Sequence, residues 1–524
     1  MPVRGSDVKG KAETAESCEG RERLFAISVT ALFLLYAGVT AFHHEMWRDE
    51  MQAWLICRDT PSPLEIFHAI RYEGHPVLWF LLVWPLTRLT RNPEVMKWLN
   101  LLIAASAVFL IVRFAPAQRW VRASFAFGYY AVYEYGSIAR NYAIGVLMLV
   151  AFCALFPHRR ERPLLVGVLL FLAANTSVHA CILTIAALVM LVAENITRPP
   201  EALRRLVTWA GVGIALGGIV LSALQMHPPP DSGSWVEWHL IPNPAPLLRV
   251  FKNMTAAYLP LPKPGLRFWQ SSLLAQFPLY ANFSWVGAPV ILMLVSLALV
   301  RRPLALAYYL TGSLGLLVFF YAKHPGYLRH HGFLFVCFGM VLWLAATMEP
   351  VRLPQPLDTV ASLSERLLRV IVPLLLTVQV AGAAIAATGE YRLVFSGAKA
   401  AAEMMKARGL DRLPLVAEED KITVAVMGYL DKDRAYYPTG GRFGSYVVWD
   451  SARYNHYDVW DQAIRLSRQV GSPVVVILDA RSLNKWPPPP WLGTELLPMG
   501  AFSGQIEGEE NFFVFLLGGA PATR

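Results

Sequence analysis

Apolar runs of roughly 18 residues, the length that crosses the hydrocarbon core of a bilayer, recur along this chain and restrict its fold more than any other feature. Eleven such runs are legible: 24–42, 95–112, 121–136, 141–156, 163–176, 179–194, 206–226, 284–300, 303–321, 331–347 and 367–387. Only 16% of the 524 residues are charged, against about 25% in soluble domains. The net charge of +10 would suggest nucleic acid in a soluble protein. Here the arginines cluster between apolar runs, where they set membrane orientation, so nucleic acid is not an expected partner.

A further apolar stretch, Val77 to Leu86, is short and holds Pro85. Parity decides how to treat it. If it does not span and the N-terminus is cytoplasmic, the loops with Arg113/Arg119/Arg122, Arg159/Arg160/Arg162, Arg198/Arg204/Arg205, Arg301/Arg302 and Arg352/Arg366/Arg369 all face the cytoplasm, as the positive-inside bias demands. It is therefore read as a partly inserted helix. Arg88, Arg91 and Lys97 then lie outside, against the trend. Residues 1–23 are expected to form a disordered cytoplasmic tail, and the first run an uncleaved anchor rather than a signal peptide.

The segments left on the outer face are the long and unusual ones, 43–94, 227–283 and 322–330, so function is expected there. After residue 388 the composition changes. Residues 399–408 and 458–470 read as helices, and Ile422–Met427 and Val474–Leu478 as short buried strands. This predicts an external α/β domain over 388–524, after a membrane module over 24–387. The domain shows no glycine-rich nucleotide motif at its turns. The loop Tyr436 to Tyr446 is expected to pack against 227–283 rather than to contact an acceptor. The five cysteines show no metal or disulfide spacing.

Three polar constellations carry potential chemistry. His43-His44-Glu45-Met46-Trp47-Arg48-Asp49-Glu50 follows the first run, and charges so near a membrane boundary mark function by default. Arg71-Tyr72-Glu73-Gly74-His75-Pro76 precedes the short apolar helix, with Pro76 at a favoured first position. Arg140 sits between two apolar runs and needs an anionic partner, either Glu134 or a ligand phosphate. Lys323, His324, Arg329, His330 and His331 form a second basic group. Arg and Lys serve phosphate well. A cationic pocket, a carboxylate pair and an apolar surround suit a lipid-linked phosphate; anionic lipid head groups are the plainer ligand. Adjacent residues seldom converge on one metal, so none is required, although Asp49 and Glu50 remain open to a divalent ion.

Trp47-Arg48-Asp49-Glu50, then Glu73-Gly74-His75-Pro76-Val77-Leu78-Trp79, then Ser137-Ile138-Ala139-Arg140-Asn141-Tyr142, in that order and on one side, resemble the GT-C membrane glycosyltransferases. Protein O-mannosyltransferases and lipid A aminoarabinose transferases are the nearest in style, and the likeness covers about 24–345. It implies a transferase that takes a sugar from a polyprenyl phosphate to a hydroxyl of a cell-envelope acceptor. In it Asp49 is the general base with Glu50 in support. Arg140, Lys323 and Arg329 hold phosphate, and Glu73, His75 and Tyr142 line the site. A single displacement would invert the anomeric centre, with cations neutralising the leaving phosphate. This chain has one Pro, not two, after the His, and lacks a clear Asp after Arg140. The resemblance implies a multi-pass protein of the bacterial inner membrane with its site on the periplasmic face. Two other classes stay in play: a transporter or flippase of a lipid-linked glycan, although repeated halves are not seen, and a membrane scaffold that would not need Asp49.

Overall fold

The computed structural model describes residues 6–233, 238–454 and 457–518. The membrane module comprises α1 (Ser6–His43), α2 (Arg48–Asp59), α3 (Pro63–Ala69), α4 (Leu78–Leu89), α5 (Val95–Phe114), α6 (Arg119–Ala126), α7 (Tyr142–Leu155), α8 (Pro163–Ala174), α9 (Val178–Thr197), α10 (Ala202–Gln225), α11 (Pro244–Tyr258), α12 (Pro278–Leu299), α13 (Pro303–Ala322), α14 (Leu328–Ala346) and α15 (Gln355–Arg392). Among the described residues, eight helical stretches, on α1, α5, α9, α10, α12, α13, α14 and α15, are long and apolar enough to cross a bilayer. Three shorter apolar helices begin at Leu78, Tyr142 and Pro163. Large apolar side chains such as Leu35, Leu224, Met293 and Leu374 point outward, which suits a lipid surround and not water.

Two features of the helical module differ from the sequence reading. Residues 6–23, expected to be disordered, continue α1. Glu22 of that extension binds both Arg119 and Arg122 at 2.8 Å, so part of the basic loop has local counter-ions. The run 121–136 is not one helix: α6 ends at Ala126, and a π-helical turn follows at Tyr130–Glu134. The misfit arginines of the α4 region also find an explanation. Arg88 donates to the carbonyls of Cys57, Arg58 and Thr60 at 2.7–3.0 Å, satisfying the last turn of α2. Lys97 is buried and donates to the His44 carbonyl at 2.7 Å.

Helices α8 and α10 pack closely through Gly167 and Gly211, where an added Cβ would meet opposing backbone atoms. Small residues at such crossings let helix backbones approach in lipid, where dispersion must replace the hydrophobic drive.

The C-terminal domain adds α16 (Ala398–Ala407), α17 (Asp420–Leu430), α18 (Val459–Val470) and α19 (Ala480–Lys485) to β1 (Leu415–Ala417), β2 (Ala435–Tyr437), β3 (Arg442–Gly444), β4 (Val474–Leu478), β5 (Leu496–Phe502) and β6 (Phe512–Leu517). The sheet order is β3-β2-β1-β4-β6-β5, with β1 parallel to both β2 and β4 and the edges antiparallel. Strand β4 and helices α16 and α18 fall where the sequence placed them. Ile422–Met427 is a correction: this run lies in helix α17. Every residue from Ile422 to Gly428 is buried, and an apolar run buried on all sides has no period to separate helix from strand.

The domain is built onto α2. Gly428 of α17 sits against Met51. Gln52 bonds both the N–H and the carbonyl of Val447 at 2.8 Å. Arg58 reaches Asp431 and the Lys432 carbonyl. The stretches on either side of the hairpin β2–β3 therefore bind α2, and Trp449–Ser451 pairs with residues 231–233.

Replacing Gly211 by Val should destabilise the detergent-solubilised protein by about 1–3 kcal/mol or more through overpacking. Thermal unfolding of Gly211→Val against Gly213→Val, where an added Cβ meets nothing within 4 Å, would check this.

Candidate active site

Helix α2 starts as the chain leaves α1. Asp49 and Glu50 occupy its first turn, where carboxylates complement the helix dipole. Glu50 reaches back to the Trp47 N–H at 3.3 Å. The two acids then part company. Asp49 faces a partly open centre, whereas Glu50 is fully buried.

Glu50 is the join. One oxygen accepts from the Ala139 N–H at 2.6 Å and the other from His44 Nε2 at 2.8 Å. His44 Nδ1 meets Glu390 of α15 at 2.9 Å, and Glu390 also accepts from the Tyr133 hydroxyl at 2.7 Å. Burial works against a charged His44, yet Glu50 and Glu390 outweigh it and raise its pKa to about 10. The sequence expectation that Glu50 assists Asp49 in the chemistry, or shares a metal with it, does not match this placement. Its oxygens are committed to α2, to the loop before α7 and to His44.

That loop carries Arg140. Asn100 of α5 donates to the carbonyls of Tyr135, Gly136 and Ile138 at 2.9–3.3 Å, and Ser137 folds back onto the Val132 carbonyl at 2.8 Å. So held, Arg140 Nη1 lies 2.6 Å from Asp49 Oδ2. Arg329, from the first turn of α14, places Nη2 at 3.2 Å from the same oxygen. Its backbone carbonyl is fixed by the Tyr135 hydroxyl at 2.8 Å. Arg48 adds a third, looser contact, 3.7 Å from Asp49 Oδ1. Burial alone would raise the Asp49 carboxyl, but Arg140, Arg329 and Arg48 hold it at about 2.

Arg140 thus pairs with Asp49 and not with Glu134. Glu134 instead accepts from the Tyr129 hydroxyl at 2.8 Å and from Trp269 at 3.2 Å. Arg329 lies among the rings of Trp47, Trp269 and Tyr327. Its Nε and Nη1 are buried without a hydrogen-bond partner among the described residues. A buried guanidinium with idle N–H groups costs free energy and suits an incoming oxyanion.

Around this centre the remaining sequence candidates divide. Arg140 Nη2 is 3.5 Å from His75 Nε2, and burial together with Arg140 lowers the His75 pKa to about 3, so this imidazole is neutral. Tyr142 lies under Arg140 and donates to, or accepts from, His330 Nε2 at 2.8 Å. Glu73 accepts from Gln52 Nε2 at 2.7 Å. Lys323 stands apart, over Trp238, and no contact brings it to Asp49. The residues that sequence reasoning passed over are Gln52, Trp269 and Glu390, all of which depend on tertiary contacts.

Removing Glu50 should leave His44 Nε2 and the Ala139 N–H as buried donors without their acceptor. Glu50→Ala is expected to cost about 3–5 kcal/mol of stability, as breaking buried pairs does, and chemical denaturation in detergent measures it. The pH sign follows from the raised His44 pKa. Its contribution is full below its ordinary 6.5 and is lost as pH climbs through about 10. His44→Gln should flatten that alkaline decline.

No protein-family model matches the sequence, and no curated protein matches it. Among solved structures, the chain is similar to the crystal structure of ArnT from Cupriavidus metallidurans bound to undecaprenyl phosphate, at 12% identity and a TM-score of 0.48, over 94% of this chain and 97% of that one. It is similar also to the apo-state crystal structure of the same ArnT, at 12% identity and a TM-score of 0.46, over 94% and 97% of the two chains.

Proposed function

We propose that this protein is an inverting glycosyltransferase of the bacterial inner membrane that moves a sugar from a polyprenyl-phosphate donor to a hydroxyl of a cell-envelope acceptor. The observation that carries this reading is the pair of guanidiniums, Arg140 and Arg329, gathered on Asp49 at the mouth of an apolar bundle. Arg329, with two nitrogens lacking hydrogen-bond partners among the described residues, and Arg140 beside it are matched to a phosphate dianion. The basic loops, including the one at Arg113 to Arg122, lie at the other end of the helices. By the positive-inside bias that end is cytoplasmic, which supports a site on the periplasmic face.

An apolar cavity of about 220 Å³ supports a lipid-linked donor. Phe125, Val146, Phe335, Met340 and Trp343 line it, and Tyr135 closes one side. The cavity runs from Tyr135, whose hydroxyl fixes the Arg329 carbonyl, toward Ala115, Ala117 and Arg122 of the basic loop. Its apolar lining suits part of an isoprenoid chain.

In the reaction the acceptor oxygen attacks the anomeric carbon opposite the departing phosphate. Arg140 and Arg329 hold the charge that grows on the leaving group; groups placed this way are usually the largest single contribution to catalysis. A carboxylate takes the acceptor's proton. The sequence resemblance implies Asp49 for this task, and Glu73 is the second carboxylate of the centre. This mechanism requires no metal, since the guanidiniums carry the electrophilic role. Asp49 remains the carboxylate that faces the centre if a divalent ion takes part, and chelator sensitivity of transfer tests that.

Membranes carrying wild type, Arg140→Ala, Arg329→Ala or Asp49→Asn, supplied with radiolabelled polyprenyl-phosphate sugars and extracted envelope acceptors, test the reading. Each arginine variant should lose about 10²–10³-fold in transfer, and Asp49→Asn should nearly abolish it at equal expression. Undiminished transfer in the Asp49→Asn and arginine variants would overturn the site. Polyprenyl-phosphate binding with substrate translocation and no transfer would favour a flippase.

A further inference from the structure

Two carboxylates stand at the reacting centre, and their surroundings differ. Asp49 places one oxygen between Arg140 and Arg329, with Arg48 beside the other. Those contacts do not have to break for a donor to bind, because Arg329 keeps Nε and Nη1 without partners. A carboxylate so surrounded by positive charge is a weak base and a good positioner of guanidiniums.

Glu73 is placed differently. Gln52, three residues after Asp49 on α2, holds its Oε1 at 2.7 Å. Residues three apart on a helix are neighbours on one face, so Gln52 lies about one helical turn, roughly 5 Å along α2, from Asp49, and Glu73 is near enough to feel the Asp49 charge. Gln52 is itself fixed by both backbone groups of Val447. The second oxygen of Glu73 has no hydrogen-bond partner among the described residues, and it is not sealed from solvent. Two residues on, His75 touches Arg140. Glu73 therefore sits where the rim of the membrane module meets the C-terminal domain.

Resting on the transferase reading above, we propose that Glu73 is the base that receives the acceptor's hydroxyl proton, while Asp49 stays on Arg140 and Arg329 and orients them. The proton passes to the free oxygen of Glu73. The acceptor oxygen bonds to the anomeric carbon as the bond from that carbon to the phosphate oxygen breaks. The electron pair leaves with the phosphate, which the two arginines hold.

The environment of Glu73 agrees. Burial raises its carboxyl to about 7 in spite of the Gln52 bond and Arg140, and Asp49 and Asp420 push in the same direction as burial. Tyr446 of the C-terminal domain faces it as well. A base works best with a pKa near the working pH. The sign is fixed: Glu73 must be deprotonated, so transfer is full above about 7 and falls as pH drops below it.

The test uses the full chain in lipid nanodiscs, with a radiolabelled polyprenyl-phosphate sugar and extracted acceptors. It records kcat against pH and, separately, binding of polyprenyl phosphate. Glu73→Gln should lower kcat by about 10²–10⁴-fold, the usual worth of a general base, erase the limb near neutrality and leave polyprenyl-phosphate affinity unchanged. Glu73→Asp should keep part of the rate and retain a limb. Asp49→Asn should lose polyprenyl-phosphate affinity as well as rate. A Glu73→Gln enzyme that keeps the wild-type limb, or that changes only the acceptor KM, would overturn the assignment and return the proton to Asp49. Wild type that binds no polyprenyl phosphate would overturn the transferase reading itself, and that readout does not depend on Glu73. Thermal midpoints of both Glu73 variants separate misfolding from lost chemistry.

Discussion

The site depends on one buried carboxylate that does not face it. Glu50 accepts from the Ala139 N–H and from His44. It thereby fixes the distance between the helix that bears Asp49 and the loop that bears Arg140. His44 passes the tie on to Glu390 near the end of α15, so the first and last long helices of the module share one buried charge network. An ion pair in such a place contributes little net stability relative to apolar packing, but leaving one partner alone is costly. That asymmetry makes the network a device for register: the chain must bring all three groups together or strand a charge. The 2.6 Å contact of Arg140 with Asp49 follows from that register.

The C-terminal domain continues the same logic from the other side. A helix of twelve residues, as α2 is, is marginal alone. It is stabilised here by Arg88 at its last carbonyls, by α4 along one face and by α17 along another. Among the described residues, the domain reaches Asp49 indirectly, through Arg48 and its bonds to Glu509 and Glu510. Its parallel strands β1, β2 and β4 bear no glycine-rich phosphate loop. Their connections instead supply the backbone of Val447 to Gln52 and the pairing of Asp450 with Ser232. The domain thus acts on the site by fixing side chains of the membrane module.

Much of this was legible in the sequence, because membrane insertion makes charge conspicuous. Asp49, Glu73 and Arg140 could be picked out as polar groups at the ends of apolar runs, and the structure brings them to one region. Arg329 lies 280 residues from Asp49, and no local pattern links the two. Adjacent Asp49 and Glu50 looked like a pair; a helical turn sends neighbours in different directions, and only the fold shows which of them faces the centre. Lys323 matched the chemistry but not the position. Helix α17 was misread because burial on every side removes periodicity, whereas α18, with one apolar face and Asp458 capping its N-terminus at 2.8 Å, carried both signals.

The contrast between the two carboxylates shows why charge alone does not assign a role. A base and an arginine-orienting anion have the same side-chain chemistry, and what separates them is the company each keeps. Three guanidiniums make Asp49 a permanent anion that resists a proton. A neutral amide and a desolvating interface leave Glu73 near the point where it can take one up and release it. Both environments are set by α2, since Asp49 and Gln52 lie on it three residues apart. A rotation of that helix would disturb the arginines and Glu73 together. Its two fixings, Glu50 on the membrane side and Gln52 on the domain side, are what hold Asp49 and Glu73 in their places.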